Sequence, residues 1–407
     1  MNSLFSPKQW REIKYDLEYK PFHIINEGAI ATGKTKLNNF LWLRHVNEFR
    51  DWGIQFTMTG KTLGTLQRNV LDELAADYCV DVRLDRFNRF KLFGNTINCF
   101  GTDTRESWKG ITGFTSFGWY ANEITHTQEE CTNESFGRLR GKGARIFWDC
   151  NPDAPNHYVK KNFIDQSQFK EIHSVHWILE DNSIENGGFL PPEFITREKR
   201  NTPAGVFYER KILGLWTSAE GMIYKDWNPD IMVVDKLPQI KRYFAGVDWG
   251  FEHLGAIIVI GEDHDGNYYL VLEIAEAQRN IDWWLEQKKK IKDKFGIMPF
   301  YCDSARPEYV EAFSGIDANK AVIEGIEHLA GIIKKKKFFV LKNECPEFMR
   351  EIYLYQWDVR ANKEQPKKEN DDVLDSIRYA IHTDKTNRTD PNNAIVQSYS
   401  IDENFNY

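Results

Sequence analysis

Up to about Trp216, short apolar runs alternate with longer segments of helical period: HIINEG, then TKLNNFLWLRHV, then IQFTMTG, then TLQRNVLDELAADY. This rhythm predicts strands of a parallel sheet joined by crossover helices. Phe117–Ala121 and Arg145–Cys150 read as two further strands. From about Gly214 to Leu237 no period is sustained, and a structured connector is expected. A different rhythm follows. YFAGVDWG, LGAIIVIG and NYYLVLEIAEA predict an antiparallel meander, with Asp265-Gly266 as the hairpin turn between the last two. IDWWLEQKKKIKDKF predicts a helix, MPFYCDS a buried strand and FFVL a short strand, with amphipathic helices continuing to about His382. The expected organisation is therefore a first domain over 1–214, a connector over 215–237, a second domain over 238–384 and a flexible tail over 385–407, rich in Asn, Asp, Thr and Ser.

Composition narrows the class. Hydrophobic residues make up 41% and charged residues 28% of the 407, the mix of a folded globular protein. No run approaches ~18 consecutive apolar residues, and the N-terminus has no apolar core, so neither a membrane span nor secretion is expected. Six scattered cysteines without a C-x-x-C pair suggest reduced core residues rather than a zinc ribbon or a disulfide framework. With 53 Lys and Arg against 60 Asp and Glu the net charge is −7, which excludes a globally basic nucleic-acid binder but not a local basic groove. Thirteen tryptophans predict aromatic-rich cores or interfaces.

The sharpest motif is Gly28-Ala29-Ile30-Ala31-Thr32-Gly33-Lys34-Thr35, which fits G-x-x-x-x-G-K-[ST] between a strand-like and a helical segment. Such a loop offers backbone N–H groups and a helix N-terminus to phosphates. Lys34 would neutralise the β/γ oxygens, and the Thr35 hydroxyl would ligate Mg²⁺. A nucleotide hydrolase also needs an acid at the end of a neighbouring strand, and Phe117–Ala121 leads into Asn122-Glu123. Glu123 is the candidate to orient the attacking water, and Asn122 to reach the metal through water, although Asp is usual at that place. Asn151, at the end of Arg145–Cys150, is a candidate γ-phosphate sensor, since sites collect at the carboxyl ends of parallel strands. Arg138 and Arg140 are candidates for the arginine that phosphoryl transfer favours, ahead of Arg105.

The second half carries acids in unusual places. Asp248 ends the first strand of the meander, Asp303 ends PFYC, and Asp371, Asp372 and Asp375 fall within one turn of the last helix. A carboxylate in an apolar strand is costly unless it binds something. Acids on the first strand, a later strand and the final helix suit a two-metal phosphodiesterase on a ribonuclease H-like sheet, with Mg²⁺ or Mn²⁺ clamping the scissile phosphate. Each acid alone could equally be a helix-terminal or solvated charge. The basic runs Lys288–Lys290, Lys334–Lys337 and Lys367-Lys368 are candidate contacts to a DNA backbone.

A phosphate-loop ATPase joined to such a nuclease resembles the large terminase subunit of tailed bacteriophages. The likeness runs from about Tyr19 to His382. It includes Gly101-Thr102-Asp103, Lys109–Gly113, Asn122-Glu123, Arg138-Leu139-Arg140, Asn151-Pro152, Asp181-Asn182, the Gly214–Tyr224 stretch and the acids Asp248, Asp303 and Asp372–Asp375. The resemblance implies an ASCE-type P-loop NTPase domain followed by a ribonuclease H-like nuclease domain. It implies ATP·Mg²⁺ on Lys34 and Thr35, Glu123 as catalytic carboxylate, Asn151 as coupling residue, and two Mg²⁺ or Mn²⁺ ions held by Asp248, Asp303 and Asp375. Asp372 stands where relatives commonly carry His, and Ile30 where many carry Arg, so an arginine from elsewhere, including a neighbouring subunit, is expected to complete the ATP site. The implied partners are double-stranded DNA, the small terminase subunit, the portal protein of the procapsid and further copies in a ring. The implied location is the host cytoplasm, docked transiently on the procapsid. Two other readings are a helicase-nuclease or repair ATPase without a capsid partner, and a nucleotide-gated DNA-binding protein that cuts nothing.

Overall fold

A computed structural model describes residues 4–169, 171–361 and 364–389. The chain divides into two units, one of residues 1–200 with 206–218, the other of 201–205 with 219–407.

The first unit is built on seven strands: β1 His23–Gly28, β2 Gln55–Gly60, β3 Arg89–Leu92, β4 Asn95–Gly101, β5 Gly118–Ala121, β6 Arg145–Cys150 and β7 Ile172–Trp177. They lie in the order β3-β4-β2-β5-β6-β1-β7 and are parallel throughout except for the β3/β4 pair. β1 and β6 are buried along their whole length, polar residues included. The helix Lys34–Glu48 packs Leu37, Leu41, Trp42 and Val46 into the core with Phe56, Tyr120 and Phe147. Trp42, Trp119, Trp148 and Trp177 are all fully buried, so these four serve the interior, while Trp10, Trp52 and Trp108 are exposed. Because the strands run in parallel, the residues that follow β1, β5, β6 and β7 all emerge at one edge.

The second unit has its own seven-stranded sheet: β8 Val233–Val234, β9 Ile240–Asp248, β10 Gly255–Asp263, β11 Tyr268–Glu276, β12 Phe300–Cys302, β13 Ile316–Asp317 and β14 Phe338–Leu341, in the order β13-β12-β9-β10-β11-β14-β8. β9, β10 and β11 form the antiparallel meander, while β12 runs parallel to β9 and β14 parallel to β11. The helix Asp372–Thr389 packs on this sheet. A Cβ on Gly246 would sit 1.9 Å from the Ser376 carbonyl oxygen, so only glycine lets the helix come so close to β9. The Ser376 hydroxyl fastens the same turn by donating to the Ala256 carbonyl at 3.3 Å.

Two expectations change. From Ala219 onward the expected connector is built into the second unit. The Ile223 amide donates to the Tyr355 carbonyl at 3.0 Å, and Tyr224 stacks on Tyr355 with ring centroids 5.7 Å apart. Aromatic burial there supplies the order that the missing periodicity did not signal. The last helix continues to Thr389, five residues into the expected tail, while 390–407 lie outside the described residues. Among the described residues all six cysteines are unpaired, five of them buried, and no helix is long and apolar enough to cross a membrane.

Candidate functional sites

At the carboxyl edge of the first sheet the chain leaves β1 at Gly28, whose φ is +136° and whose missing Cβ would lie 2.0 Å from the Trp177 carbonyl oxygen. Only glycine can begin the loop there. The amides of Ala29 and Ile30 are anchored to the carbonyls of Trp177 and Lys211 at 2.8 and 3.0 Å. Asn182, after β7, donates to the Ala31 carbonyl at 2.8 Å. Gly33, in the left-handed region, turns the chain into the helix that starts at Lys34.

Lys34 is buried and turns back over its own loop, donating to the carbonyls of Gly28 and Ala29 and to the Asn151 side-chain oxygen at 3.1 Å. Asn151 in turn donates through Nδ2 to Glu123 Oε1 at 3.2 Å, and its backbone amide donates to Glu123 Oε2 at 3.3 Å. Burial raises the Glu123 pKa, opposed by the Lys34 charge, and burial lowers that of Lys34, opposed by Glu123 and Asp149. Phosphate-loop lysine, carboxylate and amide thus form one connected group. It opens on a cleft of about 800 Å³ lined by Ile30–Lys36, Glu123 and Asn151, with Leu4, Gln9, Glu73, Asn182 and Phe189 completing the wall.

Asn122 is held at both ends: its Nδ2 donates to Asp149 Oδ1 at 2.9 Å, and its Oδ1 accepts from Asn69 at 3.3 Å. The expected metal contact through Asn122 therefore finds its amide already engaged. Asp149 also receives the Glu123 backbone amide at 2.9 Å, and burial, followed by the Glu123 charge, pushes its carboxyl up to about 6. No role was expected for Asp149, although an acid inside the apolar run RIFWDC carries the same signal that singled out Asp248.

Neither expected arginine reaches this cleft from its own chain. Arg138 ends the helix Glu129–Arg138 and pairs with Glu134 at 2.8 Å, while its carbonyl accepts from Ser116, before the start of β5 and so beside the opposite end of the sheet. Arg140 is exposed and donates to the Gly137 carbonyl at 2.8 Å. The Arg105 side chain is not among those described.

In the second unit Asp248 ends β9, and Asp303 follows β12 with its amide donating to the Val247 carbonyl at 2.9 Å. The last helix brings Asp371, Asp372 and Asp375 to the same edge. Burial raises the Asp248 carboxyl well above the usual range, and the charges of Asp375, Asp303, Asp372 and Asp371 add to it. Burial likewise lifts Asp371 to about 6 and raises Asp372. The four expected ligands are thus electrostatic neighbours. They are not yet a ligand cage: among the described residues no three acidic, histidine or cysteine side chains converge closely enough to hold an ion as they stand. Two cations occupy the acids instead. Lys320 pairs with Asp303, and the buried Arg378 pairs with Asp375 at 2.8 Å. The start of the acidic helix is capped from outside by the fully buried Glu351, which accepts from the amides of Val373 and Leu374 at 3.1 and 3.0 Å. Lys320 and Glu351 carried no signal in the sequence, because each acts through a partner distant along the chain or on another helix, whereas Arg378 stands three residues after Asp375 on the same helix.

The basic runs are less free than expected. Lys288 is buried, donates to the Phe313 carbonyl and lies over the Phe313 ring, and Lys334 pairs with Asp226 at 2.8 Å. Lys289, Lys290 and Lys335–Lys337 remain exposed.

No family model and no curated relative matches the chain. Among solved structures it is similar to the large terminase of a thermophilic bacteriophage, at 27% identity and a TM-score of 0.84, over 94% of this chain and 99% of that one. Over nearly its whole length the chain is thus similar to a large terminase. The same phage protein in complex with ADP matches at a TM-score of 0.81, and in complex with ATP-γ-S at 0.80, each at 27% identity over 93% of this chain and 99% of the other. The likeness spans both units.

Proposed function

We propose that the chain is a large terminase, the motor and nuclease of a viral genome-packaging machine. ATP hydrolysis in the first unit drives double-stranded DNA into a procapsid, and the second unit cuts concatemeric DNA. In this reading the first unit is an ASCE-type P-loop NTPase domain and the second a ribonuclease H-like nuclease domain. The partners are DNA, a small terminase subunit, the portal and further copies in a ring, in the host cytoplasm.

The observation that carries the reading is the Lys34–Asn151–Glu123 group at the mouth of the phosphate loop. The loop from Gly28 to Thr35 binds the phosphates of ATP, with Lys34 on the β/γ oxygens and Thr35 at the metal. Mg²⁺ held at Thr35 would supply neutralisation of the phosphate charge. Glu123 orients the attacking water and draws on its proton, a task suited to a carboxyl whose pKa burial has raised. Asn151 touches both Lys34 and Glu123, so a change of phosphate state at one is felt at the other. An arginine from a neighbouring copy completes the site.

For DNA cleavage, Asp248, Asp303, Asp372 and Asp375 are the hard oxygen donors that Mg²⁺ or Mn²⁺ take, and their mutual repulsion is what a cation relieves. The donor chemistry fits two divalent ions. Loading them requires Lys320 to leave Asp303.

The test is ATP turnover and Mn²⁺-dependent cleavage of supercoiled plasmid by the full-length chain. Lys34→Ala should abolish turnover and spare cleavage; normal hydrolysis by this variant would refute the ATP site. Asp248→Ala should abolish cleavage, and cleavage undiminished in that variant would refute the nuclease site.

A further inference from the structure

The proposed ATP site has an amide where Mg²⁺ ordinarily finds a carboxylate: the residue before Glu123 is Asn122. Mg²⁺ at a nucleotide is normally held by a hydroxyl, the phosphates and at least one carboxylate. The carboxylate stands one strand away. β5 and β6 are paired in parallel with Ala121 opposite Trp148, so the next pair in register is Asn122 and Asp149. β6 lies between β5 and β1, which puts Asp149 between the Glu123 strand and the phosphate loop.

The two oxygens of Asp149 are treated differently. Oδ1 takes both available N–H donors, from the Asn122 side chain and the Glu123 backbone, each at 2.9 Å. Oδ2 is buried without a hydrogen-bond partner. Asp149 is only 1% exposed, so water does not compensate, and an unsatisfied buried carboxylate oxygen is costly. The Thr35 hydroxyl stands close enough to favour the charged carboxylate, and Thr35 is the residue that the phosphate-loop chemistry assigns to the metal.

We propose that Asp149, through Oδ2, is the carboxylate of the nucleotide-bound Mg²⁺ site, and that Asn122 has become the amide that aims it. The role has moved one strand across the sheet, from the Glu123 strand to its neighbour. Asp149→Asn keeps the acceptor for Asn122 and Glu123 and removes only the charge. The inference rests on the ATP-site reading.

It is tested by the affinity of the full-length chain for a fluorescent ADP analogue, measured in Mg²⁺ and in chelator. Asp149→Asn should retain its affinity in chelator and lose about tenfold of the gain that Mg²⁺ confers, equivalent to ~1.4 kcal/mol. The double variant Asn122→Asp with Asp149→Asn returns the carboxylate to the Glu123 strand and should recover most of that gain. Its charge equals that of the wild type, so it also tests the idea if the single variant folds poorly. An undiminished Mg²⁺ gain in Asp149→Asn overturns the proposal, as does an equal loss with and without metal, which marks a purely structural residue. A double variant as defective as the single one overturns the relocation. A wild-type chain that binds no nucleotide overturns the ATP-site reading, and this inference with it.

Discussion

Asn151 grips both carboxylate oxygens of Glu123, one through its backbone amide and one through its side-chain Nδ2, while its own Oδ1 accepts from Lys34. Glu123 and the phosphate-loop lysine are therefore linked by one amide. Asn151→Ala removes the side-chain half of that link. Hydrogen bonds to charged groups are worth ~1.5–3 kcal/mol, so ATP turnover should fall roughly tenfold to a hundredfold. ADP affinity should change much less. Steady-state hydrolysis alongside an ADP titration checks both, and unchanged turnover would show that the link has no part in catalysis.

The acids around Asp248 repel one another in a buried setting. Replacing one of them with an isosteric amide should therefore help the folded state and harm function. Asp248→Asn should raise the melting temperature in chelator and abolish the further rise that Mn²⁺ gives the wild type. Melting curves with and without Mn²⁺ decide the matter. A variant less stable in chelator, or still stabilised by the ion, would contradict the arrangement.

Glu351 links stability to pH. Burial pushes its carboxyl up to about 8 from an ordinary 4.5, although the amides of Leu374 and Val373 favour its charged form. The folded chain keeps this proton where the unfolded chain has lost it. The contribution is thus fully present below about 4.5 and is lost as pH rises through about 8. Glu351→Gln still offers an acceptor to the helix start but cannot ionise. Its melting temperature in chelator should fall less steeply than the wild type's between pH 5 and 8. Parallel slopes would mean that Glu351 titrates normally.

Arg140 is exposed, and the helix before it ends beside the opposite end of the sheet from the phosphate loop. Arg140→Ala should leave the ATP turnover of the isolated monomer unchanged. If this residue serves a neighbouring subunit, a loss should appear only on assembly. Turnover measured across a range of protein concentrations separates the cases, and a monomer already impaired would place Arg140 in its own chain's site.

Elements whose signal is local were legible in the residues alone. The phosphate loop is eight contiguous positions, the meander strands announce themselves by apolar runs and an Asp-Gly turn, and FFVL is a strand as written. Asp248, Asp303 and Asp375 stood out because an acid beside apolar neighbours is conspicuous in one dimension. Nothing local revealed that Asn122 faces Asp149, that Lys320 holds Asp303, or that Glu351 caps a helix that begins 21 residues later. Those relations are made by strand order and by the close packing that Gly246 permits, across distances along the chain that no short pattern spans. The sequence by itself determined which chemical groups each unit carries and the strands that end in them. The tertiary structure alone decided which groups meet, because backbone geometry is set by neighbouring residues whereas the partner of a buried charge is set by whatever the folded core leaves within reach.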